Sequence, residues 1–250
     1  MIIERNPNER LDDLGINQLK ILQNPDLFCF GMDAVLLSAF VNVRKNEKVM
    51  DLCTGNGIVP ILLSAKSQAK EIVGIEIQES SADLARRSVL INQLSDKITI
   101  LQEDINHIKK IYSANSFEVV TCNPPYMIAD HGLKNPDSAK AIARHELLCT
   151  FSQICQSASW LLKEGGSFFI VHRPFRLVEL CATLTANQLE PKRMRFVHPF
   201  QDSEPNMVLI EARKGSKSRV RIEAPCVVYE SENVYTKEIR ELYQSEPGSV

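Results

Sequence analysis

Short apolar runs alternate along the chain with longer segments whose apolar positions recur every three or four residues. "EKVMDLC" (47–53) predicts a buried strand; "TGNG" follows, then "IVPILLSAKS", apolar and of helical length. "EIVGIE" (71–76) predicts the next strand, and residues 79–94 set Ala82, Ala85, Val89 and Leu94 at helical spacing. "KITILQED" reads as a strand, "INHIKKIY" as a short helix and "SFEVVTC" as a strand again. Residues 141–162 predict one long helix, stopped by the Gly165–Gly166 pair. "SFFIVHR" is the fifth strand, and "PFRLVELCATLTANQ" a helix that opens on Pro. "KRMRFVHP" and "PNMVLIEARK" predict a closing hairpin, and "YTKEIRELYQ" a short helix after an irregular stretch.

Strands alternating with helices of this length mean an α/β fold, a doubly wound and mostly parallel sheet, here with a C-terminal antiparallel hairpin. The pattern divides into an extension packing on the core (1–46), the core (47–214) and a tail (215–250). Ligands of such sheets bind beyond the carboxyl ends of the strands. Asp51, Glu76, Asp104 and Asn123 end four successive strands and are expected to line one rim.

Composition excludes more than it selects. No apolar run approaches the roughly 18 residues of a membrane span, and the charged start is unlike a signal peptide. Seven Cys, an odd number without a C-x-x-C pair, argue for free thiols in a reducing cytoplasm. The five His have no metal-ligand spacing, so no metal is expected. Net charge is −2, yet Lys192, Arg193, Arg195, Arg213, Lys214, Lys217, Arg219 and Arg221 face only Asp202, Glu204 and Glu211 in their segment. Such an excess attracts an anionic partner, or else forms the solvated face of a hairpin.

Two motifs carry chemistry. In "DLCTGNG", Gly55 and Gly57 allow a tight strand-to-helix turn with close approach of a ligand. The dinucleotide fingerprint needs a third glycine, and Pro60 stands in its place. An acid ahead of the glycines, Asp51, repels phosphate but suits a cationic amino-acid ligand. Glu76 is positioned to accept both hydroxyls of a ribose. Asp104 is placed as a ligand residue, as the N-cap of the next short helix, or as both. The second motif is "NPPY", Asn123–Pro124–Pro125–Tyr126. Two prolines remove two backbone donors, and Pro124 forces Asn123 to be extended. What remains is a rigid edge of acceptors. If Asn123 Oδ1 and the Pro124 carbonyl take the two hydrogens of a planar amine, its nitrogen pyramidalises and its lone pair becomes nucleophilic; Tyr126 stacks on the planar group. This is catalysis by positioning and electrostatics.

These motifs resemble those of the Rossmann-like (class I) S-adenosylmethionine methyltransferases. With "ERLDDL", "FGMDAVLL", "GIEIQE", "IARHE", "VHRP", "EPKRMRFVHP" and "YTKEIR", the chain resembles the bacterial tRNA-valine adenine-N6 methyltransferase family. The resemblance implies S-adenosyl-L-methionine held by Asp33, Asp51, Gly55, Asn56, Gly57, Glu76, Ile77, Asp104, Ile105 and Asn123. Asp104 would accept from the adenine amine, and Ile105 would cover the ring. Asp33 would precede a helix near the methionine end, or cap it. The resemblance also implies methyl transfer beside the anticodon of a tRNA. Arg144, Arg173, Lys192, Arg193 and Arg195 are the expected RNA contacts. Three alternatives stay open on the residues alone. A glutamine-N5 methyltransferase acts on another planar NH₂, but Asp51 comes too early for the helical domain those enzymes carry ahead of the core. A ribosomal-RNA guanine methyltransferase is disfavoured by length and the single core, and a non-catalytic RNA-binding module by the intact NPPY.

Overall fold

The runs that end in Asp51, Glu76 and Asn123 are neighbouring parallel strands. The computed structural model describes residues 6–27, 29–124 and 149–243. In chain order the strands are β1 (Arg10–Asp13), β2 (Lys20–Gln23), β3 (Lys48–Leu52), β4 (Glu71–Glu76), β5 (Ile98–Gln102), β6 (Phe117–Cys122), β7 (Leu162–His172), β8 (Leu189–His198), β9 (Met207–Lys214), β10 (Arg221–Ile222), β11 (Cys226–Val227), β12 (Tyr229–Ser231) and β13 (Val234–Tyr235). The helices are α1 (Met32–Phe40), α2 (Ile58–Lys66), α3 (Glu79–Ile91), α4 (Ile108–Ile111), α5 (Phe151–Leu161), α6 (Leu177–Ala186) and α7 (Lys237–Tyr243).

The main sheet runs β10-β8-β9-β7-β6-β3-β4-β5, with β11 also paired to β8. β5, β4, β3, β6 and β7 are parallel, and β9 is antiparallel to both β7 and β8. Strand order reverses between β3 and β6, the switch point at which open α/β sheets bind ligands. One apolar layer joins α1, α2 and α3 to the sheet, and a second joins α4, α5 and α6 to the opposite face. Burial on both faces explains why these strands read as unbroken apolar runs.

The segments outside the predicted core belong to the same packed unit. β1 and β2 form a hairpin laid on α3, where the Ser88 hydroxyl accepts from Leu22 N at 3.0 Å. Leu14 and Ile16 from this end, and Cys226, Val228 and Ile239 from the other, are buried in the layer that holds α1, α2 and α3. Two stretches of the expected tail, β10 and β11, extend the sheet itself.

Two boundaries differ from the sequence expectation. The long helix of 141–162 begins, in its described part, at Phe151: Thr150 is its N-cap, closing a capping box with Gln153. Residues 141–148 lie outside the described residues. Gly165–Gly166 does not stop that helix, which ends at Leu161, four residues earlier. The pair lies within β7, where the register to β6 shifts between the Phe117 and Val119 pairs. Gly165 has φ +76°, and a Cβ on Gly166 would stand 2.9 Å from the carbonyl oxygens of Glu118 and Lys163. A bulge and a helix stop call for the same residue.

Candidate active site

Beyond the ends of β3 and β4 the chain builds a loop from glycines and one carboxylate. Gly55 and Gly57 have φ +57° and +84°, and Gly57 is the N-cap of α2. A Cβ on Gly57 would stand 3.1 Å from Ala85 Cβ of α3; around Gly55 there is open space. Pro60 falls in the first turn of α2, where a missing N–H costs nothing. Glu76, 6% exposed, reaches back across the loop. Its Oε2 accepts from Gly55 N and its Oε1 from Gln78 N, both at 2.9 Å. Each oxygen keeps acceptor capacity beyond that bond. The Asn56 amide instead turns away and donates to Leu22 O at 3.3 Å, tying the loop to the β1–β2 hairpin.

Asp51 lies beneath this loop rather than on an open rim. It is 1% exposed, and its Oδ1 accepts from Thr121 Oγ1 at 2.6 Å. The two residues are register partners across β3 and β6, so the bond couples the glycine loop's strand to the strand that carries Asn123. Burial pushes the Asp51 carboxyl up to about 7, with the Thr121 hydroxyl pulling it down. Thr121 escaped the sequence analysis because only pairing of β3 with β6 brings it to Asp51.

Asn123 and Pro124 follow β6 directly. Asn123 Oδ1 is buried and has no hydrogen-bond partner. A buried acceptor left so costs about 1–3 kcal/mol, and few native groups are tolerated in that state without a use. Pro125, Tyr126 and Arg144 lie outside the described residues. Pro124 lines a cavity of about 280 Å³ together with Thr150, His172, Arg176, Glu179 and Thr183. His172 ends β7; burial, helped by the Arg176 charge, pushes its imidazole down to about 4, so it is neutral at pH 7.

The remaining expected residues separate. Asp104 caps the short 3-10 turn Ile105–His107, accepting from Asn106 N at 2.8 Å. Ile105 is 5% exposed and packs in the layer of α4 and α5. Ile77, 37% exposed after Glu76, is the apolar side chain left at the surface there. Asp33 does not cap α1: the N-cap is Gly31, and Asp33 Oδ1 accepts from Ala34 N in the first turn.

Arg193 and Arg195 are engaged within the chain. Arg193 donates to Glu211 at 2.9 Å and to Phe40 O at 2.7 Å, and lies 3.9 Å above the Phe40 ring. Arg195 forks onto Glu238 of α7 at 2.5 and 2.9 Å and donates to Ala224 O. Arg193 thus ties β8 to β9 and α1, and Arg195 ties it to the tail. Lys192 donates to Lys217 O, and Arg173 to Asn206 O in the β8–β9 turn.

The family described as "Methyltransferase domain" matches residues 43–234. The chain belongs to that family. The methyltransferase is also similar to proteins named tRNA1(Val) (adenine(37)-N6)-methyltransferase. It is 32% identical to that of Bacteroides thetaiotaomicron, over 56% of this chain and 58% of that protein. It is 29% identical to that of Phocaeicola vulgatus, over 72% and 74%, and 26% identical to that of Tolumonas auensis, over 83% and 85%. The match thus spans less than two thirds of the Bacteroides protein and about three quarters or more of the other two. Among solved structures, a predicted O-methyltransferase from Agrobacterium tumefaciens superposes with a TM-score of 0.69 at 22% identity, covering 85% of this chain and 95% of that one. A geranyl diphosphate C-methyltransferase from Streptomyces coelicolor gives 0.53 at 12% identity, over 72% and 74%. Both share the fold.

The methyltransferase uses S-adenosyl-L-methionine, which supplies an electrophilic methyl on a sulfonium. The geometry fits that molecule: open space over Gly55 and a carboxylate with acceptor capacity at Glu76. Among the described residues no cluster of His, Cys, Asp and Glu could hold a metal, and no helix is long and apolar enough to cross a membrane.

Proposed function

We propose that this methyltransferase modifies the 6-amino group of an adenosine in tRNA, beside the anticodon of a valine tRNA, in the cytoplasm. The observation that carries the reading is the buried, unpartnered Oδ1 of Asn123. An acceptor so placed calls for a donor from outside the chain, and an aromatic amine has two hydrogens to give. Asn123 takes one and the Pro124 carbonyl the other. The nitrogen lone pair is then released from the ring and turned toward the methyl. Tyr126 is assigned to stack on the base. Glu76 holds the ribose of S-adenosylmethionine, Asp104 its adenine amine and Ile77 one face of its ring. Gly55, Asn56 and Gly57 serve it through their backbone, and Asp33 borders its methionine end. Asp51 supports the loop from beneath. Arg144, Arg173 and Lys192 are assigned to RNA phosphates. An adenine, rather than a protein glutamine, is favoured by the names of the relatives.

The test incubates the protein with S-adenosylmethionine and a valine tRNA transcript, then digests the RNA for nucleoside mass spectrometry. N6-methyladenosine in the anticodon loop is expected. Transfer to a protein glutamine with none to RNA would overturn the reading.

A further inference from the structure

Among the described residues, the large apolar side chains most open to solvent are Phe175, 69% exposed, and Val178, 84% exposed. They sit three residues apart where the chain passes from the 3-10 turn Pro174–Arg176 into α6, a spacing that puts them side by side on a helical surface. Phe175 is three residues past His172, which shares its cavity with Pro124. Arg176, the next residue in the chain, lines that cavity too, so the ring is carried by a turn that borders the acceptor site.

We infer that Phe175, with Val178 beside it, is a stacking platform for the nucleotide adjacent to the methylated adenosine in a single-stranded RNA loop. The inference rests on the adenosine reading above and adds a positioning residue to it. A base that is to be methylated on its amine must leave the stack, which uncovers one face of its neighbour. A free aromatic ring beside the site covers that face again without regard to sequence. The patch of two side chains is far too small for a stable protein partner, which needs roughly 20–30 residues a side. It matches one base. Arg173, two residues before the ring, donates to a backbone carbonyl, Asn206 O, and adds positive charge beside it.

The backbone that presents the ring is braced. Pro174 fixes φ at the first position of the turn. Arg173 N donates to His172 Nδ1 at 2.7 Å, and Arg176 N to Arg173 O at 3.2 Å. The Arg176 guanidinium forks onto Glu179 at 2.8 and 2.5 Å. Little order has to be created when a base arrives.

Methyl transfer to a valine tRNA transcript, measured across RNA concentrations, tests the platform. Phe175→Ala should raise KM for the RNA about 5- to 100-fold, the range seen when a stacking ring is lost. S-adenosylmethionine affinity and the melting temperature should stay at wild-type values. Phe175→Trp should restore KM and Phe175→Leu, apolar but without a ring face, should not. A second arm uses Phe175→Trp/Trp160→Phe, which moves the single Trp of the chain to the platform. Its emission should be quenched by the transcript. A wild-type KM in Phe175→Ala, rescue by Leu equal to that by Trp, or emission indifferent to RNA would overturn the inference. Wild-type protein that methylates no adenosine refutes the functional reading instead, and the emission arm then decides the platform alone.

Discussion

Asn123→Ala should separate activity from stability in opposite senses. The side chain ends β6 with its Oδ1 buried and unpartnered, so the substitution breaks no hydrogen bond at that atom. It removes instead an unsatisfied acceptor whose burial costs about 1–3 kcal/mol, part of which is given back as lost packing. In a chain of this size about 1 kcal/mol moves Tm by roughly 2–4 °C. Tm is therefore expected to hold level or to rise by up to about 4 °C. On the proposed function, methyl transfer loses one of the two acceptors for the reacting amine. Removal of a comparable preorganised group costs about 10²- to 10³-fold in kcat, or roughly 2.7–4 kcal/mol of the barrier. The assays are turnover of labelled methyl into tRNA, calorimetric titration with S-adenosylmethionine and a thermal melt, on the same preparation. Cofactor affinity should change by less than about threefold, since such a shift is well under 1 kcal/mol. Activity within about tenfold of wild type, or a Tm lowered by several degrees, would show that Asn123 is a structural residue and refute the reasoning.

Glu76→Ala leaves Gly55 N and Gln78 N without their acceptor and removes the proposed ribose acceptor; the Kd for S-adenosylmethionine should rise about 10- to 100-fold by calorimetry. Arg193→Ala removes one partner of the buried Glu211 carboxylate, which keeps Arg213 and Ser167, and uncovers the Phe40 ring; it should cost about 1–3 kcal/mol in urea unfolding. The slope of tRNA affinity against salt should not change in that variant. A shallower slope, by about 0.7 per contact, would return Arg193 to the RNA interface. Asp51 gives a pH signature. Its folded carboxyl holds its proton up to about pH 7, whereas the ordinary value of 3.8 applies on unfolding, so its contribution to stability falls as pH rises between those values. At 1.36 kcal/mol per unit the fall is at most about 4 kcal/mol. Urea unfolding of Asp51→Asn, compared with wild type at pH 5 and pH 8, should lack it, and parallel profiles would exclude the mechanism.

The central strands were legible because burial on both faces writes β3, β4 and β6 as apolar runs, with Glu76 closing β4 and Asn123 following β6. The glycine loop was legible for a related reason: φ values of +57° and +84° leave few residues to choose from. Three things could not be read. β10 and β11 are two residues long, too short for any period, and are strands because the edge of β8 is there to pair them. Arg193 and Arg195 count as positive charge in a window of sequence; periodicity does not show that Arg193 pairs with Glu211 across β8 and β9, and the acid that engages Arg195, Glu238, is 43 residues away. Ile105 follows a rim acid in sequence, and only the fold shows that it packs in the layer of α5.

The interleaving of the first and last described segments bears on how the chain is made. Leu14 and Ile16 reach their final packing in a layer completed by Ile239, and Tyr243 Oη meets Met32 Sδ at 3.6 Å. During synthesis the β1–β2 hairpin and α1 leave the ribosome more than 190 residues before the helix that closes over them. The outer edge of β8 waits likewise for residues 221–227. For most of translation the nascent chain exposes an uncovered apolar face, and late in it, between His198 and Arg221, a bare strand edge as well; both invite association with other chains. A stop codon or a frameshift anywhere before Ile239 would leave that exposure permanent. Damage near the end of the message would thus be felt in solubility across the whole protein, however far it lies from Asn123.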